Sequence, residues 1–562
     1  VSRSHTARAA RRCIRPKCFA RRLAVDKPSK HEWWQTGVVY QIYPRSFRDS
    51  NGDGVGDLAG VIEKMDYVAD TLGVDAIWLS PFYPSPMADF GYDVSDYIDV
   101  DSVFGDLPTF DRLVEEAHRN ELKVIIDFVP NHSSDRHAWF LESRSSRDHP
   151  KRDWYVWRDA RPDGSPPNNW LSVFGGSAWE WDEATRQYYL HSFLKEQPDL
   201  NWRNPEVKQA MFDVVRFWLD RGVDGLRIDV AHAIMKDPEL RDNPPRWEEG
   251  SLHHKPMGEY DRQLHLHDKG HPDVHLVYRD LRTLLDGYES PRMAVGEIHL
   301  YEWEPWVRYY GEALDELHMP YNFMLLNTPW TAAAVRSVVD DLEDVLPEDA
   351  WPNYVLGNHD EPRLATRYGP EQARIAAMLL LTLRGTPTLY YGDELGLRDV
   401  EIPPHKVQDP AGIDIPVLAR DPCRTPMPWD ASPSGGFSTA APEYLWLPVN
   451  DDRDTVSVAA QVDDSASMLS LYRELLRLRR AEPVLQIGSY RAADDAPHDC
   501  FVYLRESGAR RLLVALNFSD RPHRVAIEGP GKLLLSTSLD RAKELNGGVD
   551  LRANEGLIIE LN

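Results

Sequence analysis

Five short stretches of this 562-residue chain set acidic, histidine and arginine side chains at fixed spacings. They are "FGYDVSDY" with Tyr92 and Asp93, and "DFVPNH" with Asp127, Asn131 and His132. Next come "GLRIDVAH" with Arg227, Asp229 and His232, "GEI" with Glu297, and "GNHD" with His359 and Asp360. Two or more carboxyl groups sharing one pocket can divide the work of breaking a glycosidic bond. One attacks the sugar carbon, and the other gives a proton to the leaving oxygen and later takes one from water. No His or Cys pair has zincin spacing and no G-x-S-x-G turn occurs, so metallohydrolase and serine-hydrolase chemistry lack support. The bland alternative, structural ion pairs, accounts for one or two of these residues but not for a whole set gathered at the ends of strands.

The elements around them show why the set gathers. From residue 38, short β-branched runs alternate with amphipathic helical stretches. "VDAIWLSP" (74–81) follows a helical face of Leu58, Val61, Ile62, Met65 and Val68. "LKVIIDFVP" (122–130) follows Leu113, Val114 and Ala117, and "VDGLRIDVAH" (223–232) follows "VKQAMFDVVRFWLD". "RMAVGEIH" (292–299), "NYVLGNHDEPR" (353–363) and "RGTPTLYYGDE" (384–394) continue the rhythm. Repeated helix-then-strand units predict a parallel sheet, and about eight strands over this length predict an α/β fold, a (β/α)8 TIM barrel. A doubly wound open sheet is the alternative, but it calls for a Gly-rich phosphate turn that the sequence lacks. In a barrel, active sites form at the C-terminal strand ends, where these residues fall.

The expected organisation is a basic leader over 1–30, a barrel over 31–132 and 204–484, a subdomain over 133–203 inserted after strand 3, and a C-terminal all-β sandwich over 485–562. A second insertion, 233–275, is rich in Pro, His and charge. Its histidines fit no standard metal spacing and read as a solvated loop over the pocket mouth. Trp33 and Trp34 read as packing at the barrel bottom. Of Tyr92, Phe174, Trp179 and Phe193, most read as core rather than as sugar-stacking walls.

The net charge is −26, although residues 1–25 hold eight Lys and Arg and no Asp or Glu, so the rest is more acidic still. Such a body argues against nucleic acid and anionic membranes and suits a neutral small substrate. No apolar run is long enough to span a bilayer. Four scattered cysteines suit a reducing compartment, and the expected location is cytoplasmic, as a monomer or homodimer. The Arg-rich leader resembles a transit peptide but reads more simply as a tail or a start set too early.

"DSNGDGVGD" (49–57) follows an EF-hand pattern, with Asp49, Asn51 and Asp53 at alternate positions and Gly54 at the turn. Position twelve is Gly60 instead of Glu, and the preceding "VVYQIYPRSF" reads as a strand, so a helix–loop–helix sensor is excluded. A single structural Ca2+ or Mg2+ remains the expectation, because clustered carboxylates repel one another without a cation.

Taken in order, "DFVPNH", "GLRIDVAH", "GEI" and "GNHD" resemble the four motifs of the alpha-amylase superfamily, glycoside hydrolase family 13. "QPDLNW" (197–202), "YQIYPRSFRDSNGDGVGDLAG" and "RTPMPWD" (424–430) resemble its oligo-1,6-glucosidase and α-glucosidase branch, and the likeness runs from about residue 33 to the end. The resemblance implies Asp229 as nucleophile, Glu297 as general acid/base and Asp360 as the third carboxylate. It implies Asp93, Tyr92, His132, Arg227, His359, Phe174 and Arg420 as sugar-binding groups, with Arg424 a competitor of Arg420. It also implies that Asp49, Asn51, Asp53, Asp57 and the Val55 carbonyl hold the ion, with no organic cofactor. Arg227 is then expected to keep Asp229 ionised, while burial and neighbouring carboxylates raise the pKa of Glu297. The implied activity is retaining, exo-acting hydrolysis of short α-glucosides, namely maltose and malto-oligosaccharides with sucrose as a further candidate, together with transglucosylation. Val230 matches a residue that accompanies α-1,6 preference, whereas "DVAHAIMKDPELRDNPP" looks like α-1,4 enzymes. The alternatives are an oligo-1,6-glucosidase, or a trehalose synthase or sucrose isomerase that shares the machinery but excludes water. A non-catalytic binding relative would lack one of the carboxylates, and none is missing.

Overall fold

The computed structural model describes residues 31–247, 255–410, 418–541 and 544–561. The basic leader, His253 and His254 therefore lie outside the described residues. Eight parallel strands form the central sheet: β1 (Val39–Ile42), β2 (Ala76–Leu79), β3 (Lys123–Phe128), β7 (Gly225–Ile228), β8 (Met293–Gly296), β9 (Met319–Pro320), β10 (Asn353–Tyr354) and β11 (Thr386–Tyr390). The order is β10-β11-β1-β2-β3-β7-β8-β9, and a parallel bridge between Asn322 and Tyr354 joins the two ends, giving a (β/α)8 barrel. The strands are buried on both faces, which is why they read as near-continuous apolar runs. β9 is two residues long and had no periodicity to betray it.

The crossovers are amphipathic helices with local start signals. Leu107–Arg119 begins at Asp106, whose carboxylate accepts from Thr109 N, and buries Phe110, Leu113, Val114 and Ala117. Pro205–Asp220 begins at Asn204, which accepts from Glu206 N. The helix expected over Leu58–Val68 is broken in two. Leu58–Glu63 is α-helical, and Tyr67–Leu72 is a wider π-helical turn ending at Gly73. At the barrel bottom Trp34 packs with Val39, Ala76, Ile125, Met293 and Met319.

Between β3 and β7 an antiparallel sheet forms from β4 (Trp157–Arg158), β5 (Trp179–Asp182) and β6 (Gln187–Leu190), in the order β4-β6-β5. It returns to the barrel through a bridge between His132 and Asp199. After the helix Pro483–Ile487 the chain is all β: β12 (Ser489–Ala492), β13 (Cys500–Ser507), β14 (Arg510–Asn517), β15 (His523–Val525), β16 (Pro530–Ser536), β17 (Glu544–Asn546), β18 (Val549–Leu551) and β19 (Gly556–Leu561). Six of these form one antiparallel sheet, and β15 pairs with β18 in a second. Alternate residues Val502, Leu504, Leu513, Ala515, Leu557 and Ile559 fill the core there.

Candidate active site

Parallel register brings the charged residues together. Asp127 on β3 is the register partner of Arg227 on β7, which pairs with Val295 on β8, two residues before Glu297. Asp229 and Glu297 follow the last residues of β7 and β8, and His359 and Asp360 lie just beyond β10. Carboxylates from four strands thus meet at the C-terminal rim.

Arg227 is the hub. It is 1 % exposed, and Nη1 lies 2.6 Å from Asp127 Oδ1 and 2.9 Å from Asp229 Oδ1, while Nη2 lies 2.8 Å from Glu297 Oε2. One cation therefore holds three buried carboxyl groups at hydrogen-bonding distance. Trp78 Nε1 also donates to Asp127 Oδ2, at 2.9 Å. Val230 has φ +35, a left-handed conformation that strains a β-branched residue. The turn aims its N–H at Glu297 Oε2, 3.1 Å away, so the residue after Asp229 clamps Glu297.

The proton distribution departs from the expected one. Burial, reinforced by Glu297 and Asp127, raises the Asp229 carboxyl against the pull of Arg227. Burial also pushes Glu297 upward, but Arg227 and His299 outweigh it and hold Glu297 below its ordinary value. These directions run opposite to the expected raised Glu297 beside a lowered Asp229. The reason is that Arg227 serves both groups, while His299 Nε2, 3.2 Å from Glu297 Oε1, serves Glu297 alone. Burial raises Asp127 to about 6, with Arg227 opposing.

Asp360 forms a second hub. Its Oδ1 lies 2.8 Å from Arg424 Nη2 and 3.3 Å from Arg420 Nη1, and its Oδ2 lies 3.3 Å from His359 Nε2. Burial raises this carboxyl, but His359 and the two arginines hold it far below the usual range. His359 is sandwiched edge-on between Gln41 Nε2 and Tyr92 Oη, each 2.7 Å away, and burial lowers it to about 3. It stays neutral at physiological pH. His132 contacts Gln197 and Asn131 at 3.1 Å each and is lowered to about 4 by burial.

Of these groups Tyr92, His132, Asp229, Glu297, Asp360 and Arg420 line a cavity of about 190 Å³, together with Asp89, Phe174, Phe193, Lys255, Met257, His299 and Tyr301, whereas Arg227, Asp127 and His359 are buried and do not line it. Phe174 and Phe193 form part of its wall, whereas Trp179 packs in a small core with Trp170, Ala178 and Leu190. Arg420 closes one side. Its Nη2 lies 2.6 Å from Asp89 Oδ1 and 2.7 Å from Asp409 Oδ1, and its guanidinium sits over the Phe174 ring. Arg424 lies beneath, 1 % exposed, with Nε on the His359 carbonyl. Of the two arginines, Arg420 is the one lining the cavity.

Asp93 does not line it. Its carboxylate accepts from Ser85 Oγ, Ala88 N and Asp89 N and closes the 85–93 turn. The expected sugar-binding role of Asp93 is therefore corrected. Its oxygens are engaged by the turn, and the acid presented to the cavity is Asp89, four residues earlier.

With this geometry in hand, the comparisons with known proteins are decisive. The alpha amylase catalytic-domain family matches residues 41–488. The chain belongs to the alpha-amylase family. It is 45 % identical over 505 residues to a probable alpha-glucosidase of Rhizobium meliloti (strain 1021), covering 87 % of this chain and 90 % of that one. It is 37 % identical over 564 residues to an oligo-1,6-glucosidase of Parageobacillus thermoglucosidasius, covering 91 % and 96 %. Among solved structures it superposes on the alpha-glucosyl transfer enzyme XgtA with TM-score 0.89 and 43 % identity, covering 95 % of this chain and all of that one. The isomaltulose synthase of Erwinia rhapontici NX5 gives TM-score 0.85 and 34 % identity, covering 95 % and 99 %. This alpha-amylase family member is a glycoside hydrolase of the α-glucosidase branch.

In this family member, sequence reasoning passed over Asp89, Gln197, Lys255, His299 and Asp409. His299 had a usable signal, since it lies two residues beyond Glu297 and so shares its face in an extended segment. Asp89 had none, because a turn has no period.

The Asp49–Asp57 loop offers only oxygen donors, the chemistry a hard cation prefers. Its side chains are engaged by the loop itself. Asp49 Oδ1 accepts from Asn51 N and Gly52 N, and Oδ2 from Gly54 N and Ser438 Oγ; Asn51 and Asp53 accept from the amides two residues on. Asp57 accepts from Ser50 and caps the following helix at Gly60 N. Gly54 is required, with φ +94 and a Cβ position only 2.1 Å from the Tyr444 carbonyl oxygen. Among the described residues no three His, Cys, Asp or Glu side chains gather as a ready metal site.

Proposed function

We propose that this enzyme is a retaining, exo-acting α-glucosidase that releases α-glucose from the non-reducing end of maltose and short malto-oligosaccharides. The single observation that carries the reading is the closed end of the cavity, where Asp89, Arg420 and Asp360 form a charged wall. A terminal glucose can meet these groups with its hydroxyls. A chain threading past them would have to part the Arg420–Asp89 and Arg420–Asp360 pairs and bury the separated charges, at a cost of several kcal/mol.

In this reading Asp229 attacks the anomeric carbon as Glu297 protonates the departing oxygen. Glu297 then takes a proton from the water that releases glucose, and two inversions give retention. Asp229 and Glu297 share one guanidinium at 2.9 and 2.8 Å, a closeness suited to the covalent route. For the first step Glu297 must carry the proton and Asp229 must be ionised. Asp360, kept ionised by its cations, holds sugar hydroxyls with neutral His132 and His359, and Tyr92 and Phe174 supply stacking faces. Asp93 acts through the turn that carries Asp89.

Likeness to a glucosyl transfer enzyme supports transglucosylation beside hydrolysis, and α-1,4 linkages are the preferred substrates over α-1,6. The oxygen-rich Asp49–Asp57 loop is assigned one structural divalent ion, held by Asp49, Asn51, Asp53, Asp57 and the Val55 carbonyl, with no part in the chemistry. A cytoplasmic location agrees with free, buried Cys423 and Cys500. No helix among the described residues is long and apolar enough to cross a membrane.

The test is product size with time from maltoheptaose and soluble starch. Glucose alone, with starch viscosity unchanged, is expected. Early maltotriose or mid-chain fragments would show an endo-acting enzyme instead.

A further inference from the structure

The two oxygens of Glu297 have different surroundings. Oε2 already accepts from Arg227 Nη2 at 2.8 Å and Val230 N at 3.1 Å. A carboxyl oxygen holding two donors has no room for a proton of its own. The transferable proton must therefore sit on Oε1, which faces His299 Nε2 at 3.2 Å. His299 is held in place rather than loose. Its ring stacks on Phe323 with centroids 4.7 Å apart and planes 10° apart, Nδ1 lies 3.4 Å from Tyr301 Oη, and its backbone N–H donates to His232 Nδ1 at 3.4 Å. It also lines the cavity.

We propose that His299 is the positioning residue for the proton-carrying oxygen of Glu297, donating from Nε2 to one lone pair of Oε1 and leaving the other for the transferable proton. The inference rests on the assignment of Glu297 as acid/base. In the first half Glu297 is a carboxylic acid whose Oε1 carries the proton on one lone pair and accepts from His299 Nε2–H on the other. The proton then passes from Oε1 to the glycosidic oxygen as the bond from that oxygen to C1 breaks and the bond from Asp229 to C1 forms. In the second half Glu297 is a carboxylate, and an imidazole with its hydrogen on Nε2 donates to Oε1. Oε1 then takes a proton from water as the water oxygen bonds to C1 and Asp229 leaves. Nδ1 then bears no hydrogen, and the Tyr301 hydroxyl, 3.4 Å away, is its donor.

The other groups facing Glu297 do not serve Oε1 in this way. Arg227 is permanently cationic, Val230 N only donates, and Asp127, Asp229 and Asp360 are acids that oppose its ionisation. His232, behind the backbone, is held neutral by burial and by Lys269, while His359 faces Asp360.

The experiment compares His299→Phe, which keeps the ring and loses both nitrogens, with His299→Gln, which keeps a donor and an acceptor. Each is assayed on maltose, whose leaving group needs a proton, and on 4-nitrophenyl α-glucoside, whose leaving group does not. The expected result is a fall in kcat on maltose of about 10- to 100-fold for the Phe variant, several times smaller on the aryl substrate. The alkaline limb of kcat/KM should rise by about one pH unit, because an ionised Glu297 loses its donor. His299→Gln should recover most of the rate. Equal losses on both substrates with an unmoved pH profile, or a change in KM alone, would overturn the proposal and leave His299 a packing residue. Glu297→Gln separates the two levels: if it hydrolyses maltose normally, the acid/base assignment itself fails.

Discussion

The chain has two dense groups of carboxylates, and they are built in opposite ways. Asp127, Asp229, Glu297 and Asp360 come from the ends of four different strands, the first three buried and Asp360 half-buried, and are held chiefly by Arg227, Arg420 and Arg424. Asp49, Asp53 and Asp57 come from one nine-residue loop and are satisfied largely by its own amides. The first group is expensive to assemble, because each charge leaves water and depends on a distant partner. The second follows from local turn chemistry, in which an Asx side chain accepts from the amide two residues on. The difference teaches where reactivity resides. Carboxyl groups with shifted proton affinities and an open cavity before them can do chemistry, whereas carboxylates closed on their own backbone shape a loop.

Substitutions can break or sharpen that contrast. The largest effect is expected at the reacting pair. Asp229→Ala or Glu297→Gln should lower kcat on maltose by about 10⁴-fold with the melting temperature nearly unchanged, measured by steady-state kinetics beside thermal denaturation. Near-normal turnover in either variant would remove the first group's special status. Next, Arg227→Met leaves three buried carboxyl groups without their cation. It should destabilise the fold by about 3–5 kcal/mol at neutral pH in urea denaturation, with part of the loss recovered as acid protonates those groups. A loss indifferent to pH would mean that Arg227 matters through packing.

A third comparison separates Asp89 from Asp93. Asp89→Ala should cut kcat/KM on maltose about 100-fold and leave the melting temperature in place, whereas Asp93→Ala should lower the melting temperature as well, because it unties the turn. The reverse pattern would restore Asp93 to the cavity. The smallest effect belongs to the loop. Chelation should lower the melting temperature by about 2–4 °C and leave kcat at low temperature unchanged. Metal-dependent turnover at every temperature would dissolve the distinction between the two groups.

How legible each part was follows the same division. The barrel could be read because parallel strands buried on both faces are short apolar runs and their crossover helices carry a 3.6-residue face. β9, with two residues, fell below that resolution. Asp127, Arg227, Asp229 and Glu297 were legible because strand ends in a barrel converge whatever the loops do. Asp89 was not, since which of two aspartates in "ADFGYD" faces the cavity is decided by a turn that Asp93 itself ties. The proton balance between Asp229 and Glu297 was also hidden. It depends on which carboxyl gains a partner beyond the shared Arg227, and that partner, His299, is fixed by stacking on Phe323 from a different loop.

The central claim is that Asp229 and Glu297 perform a double displacement on a terminal glucose. The anomer of the first glucose released tests it most directly, read by proton NMR from maltose before mutarotation. The account predicts α-glucose in the earliest spectra, relaxing afterwards to the equilibrium mixture. β-Glucose appearing first would contradict it, because water would then have attacked in place of Asp229.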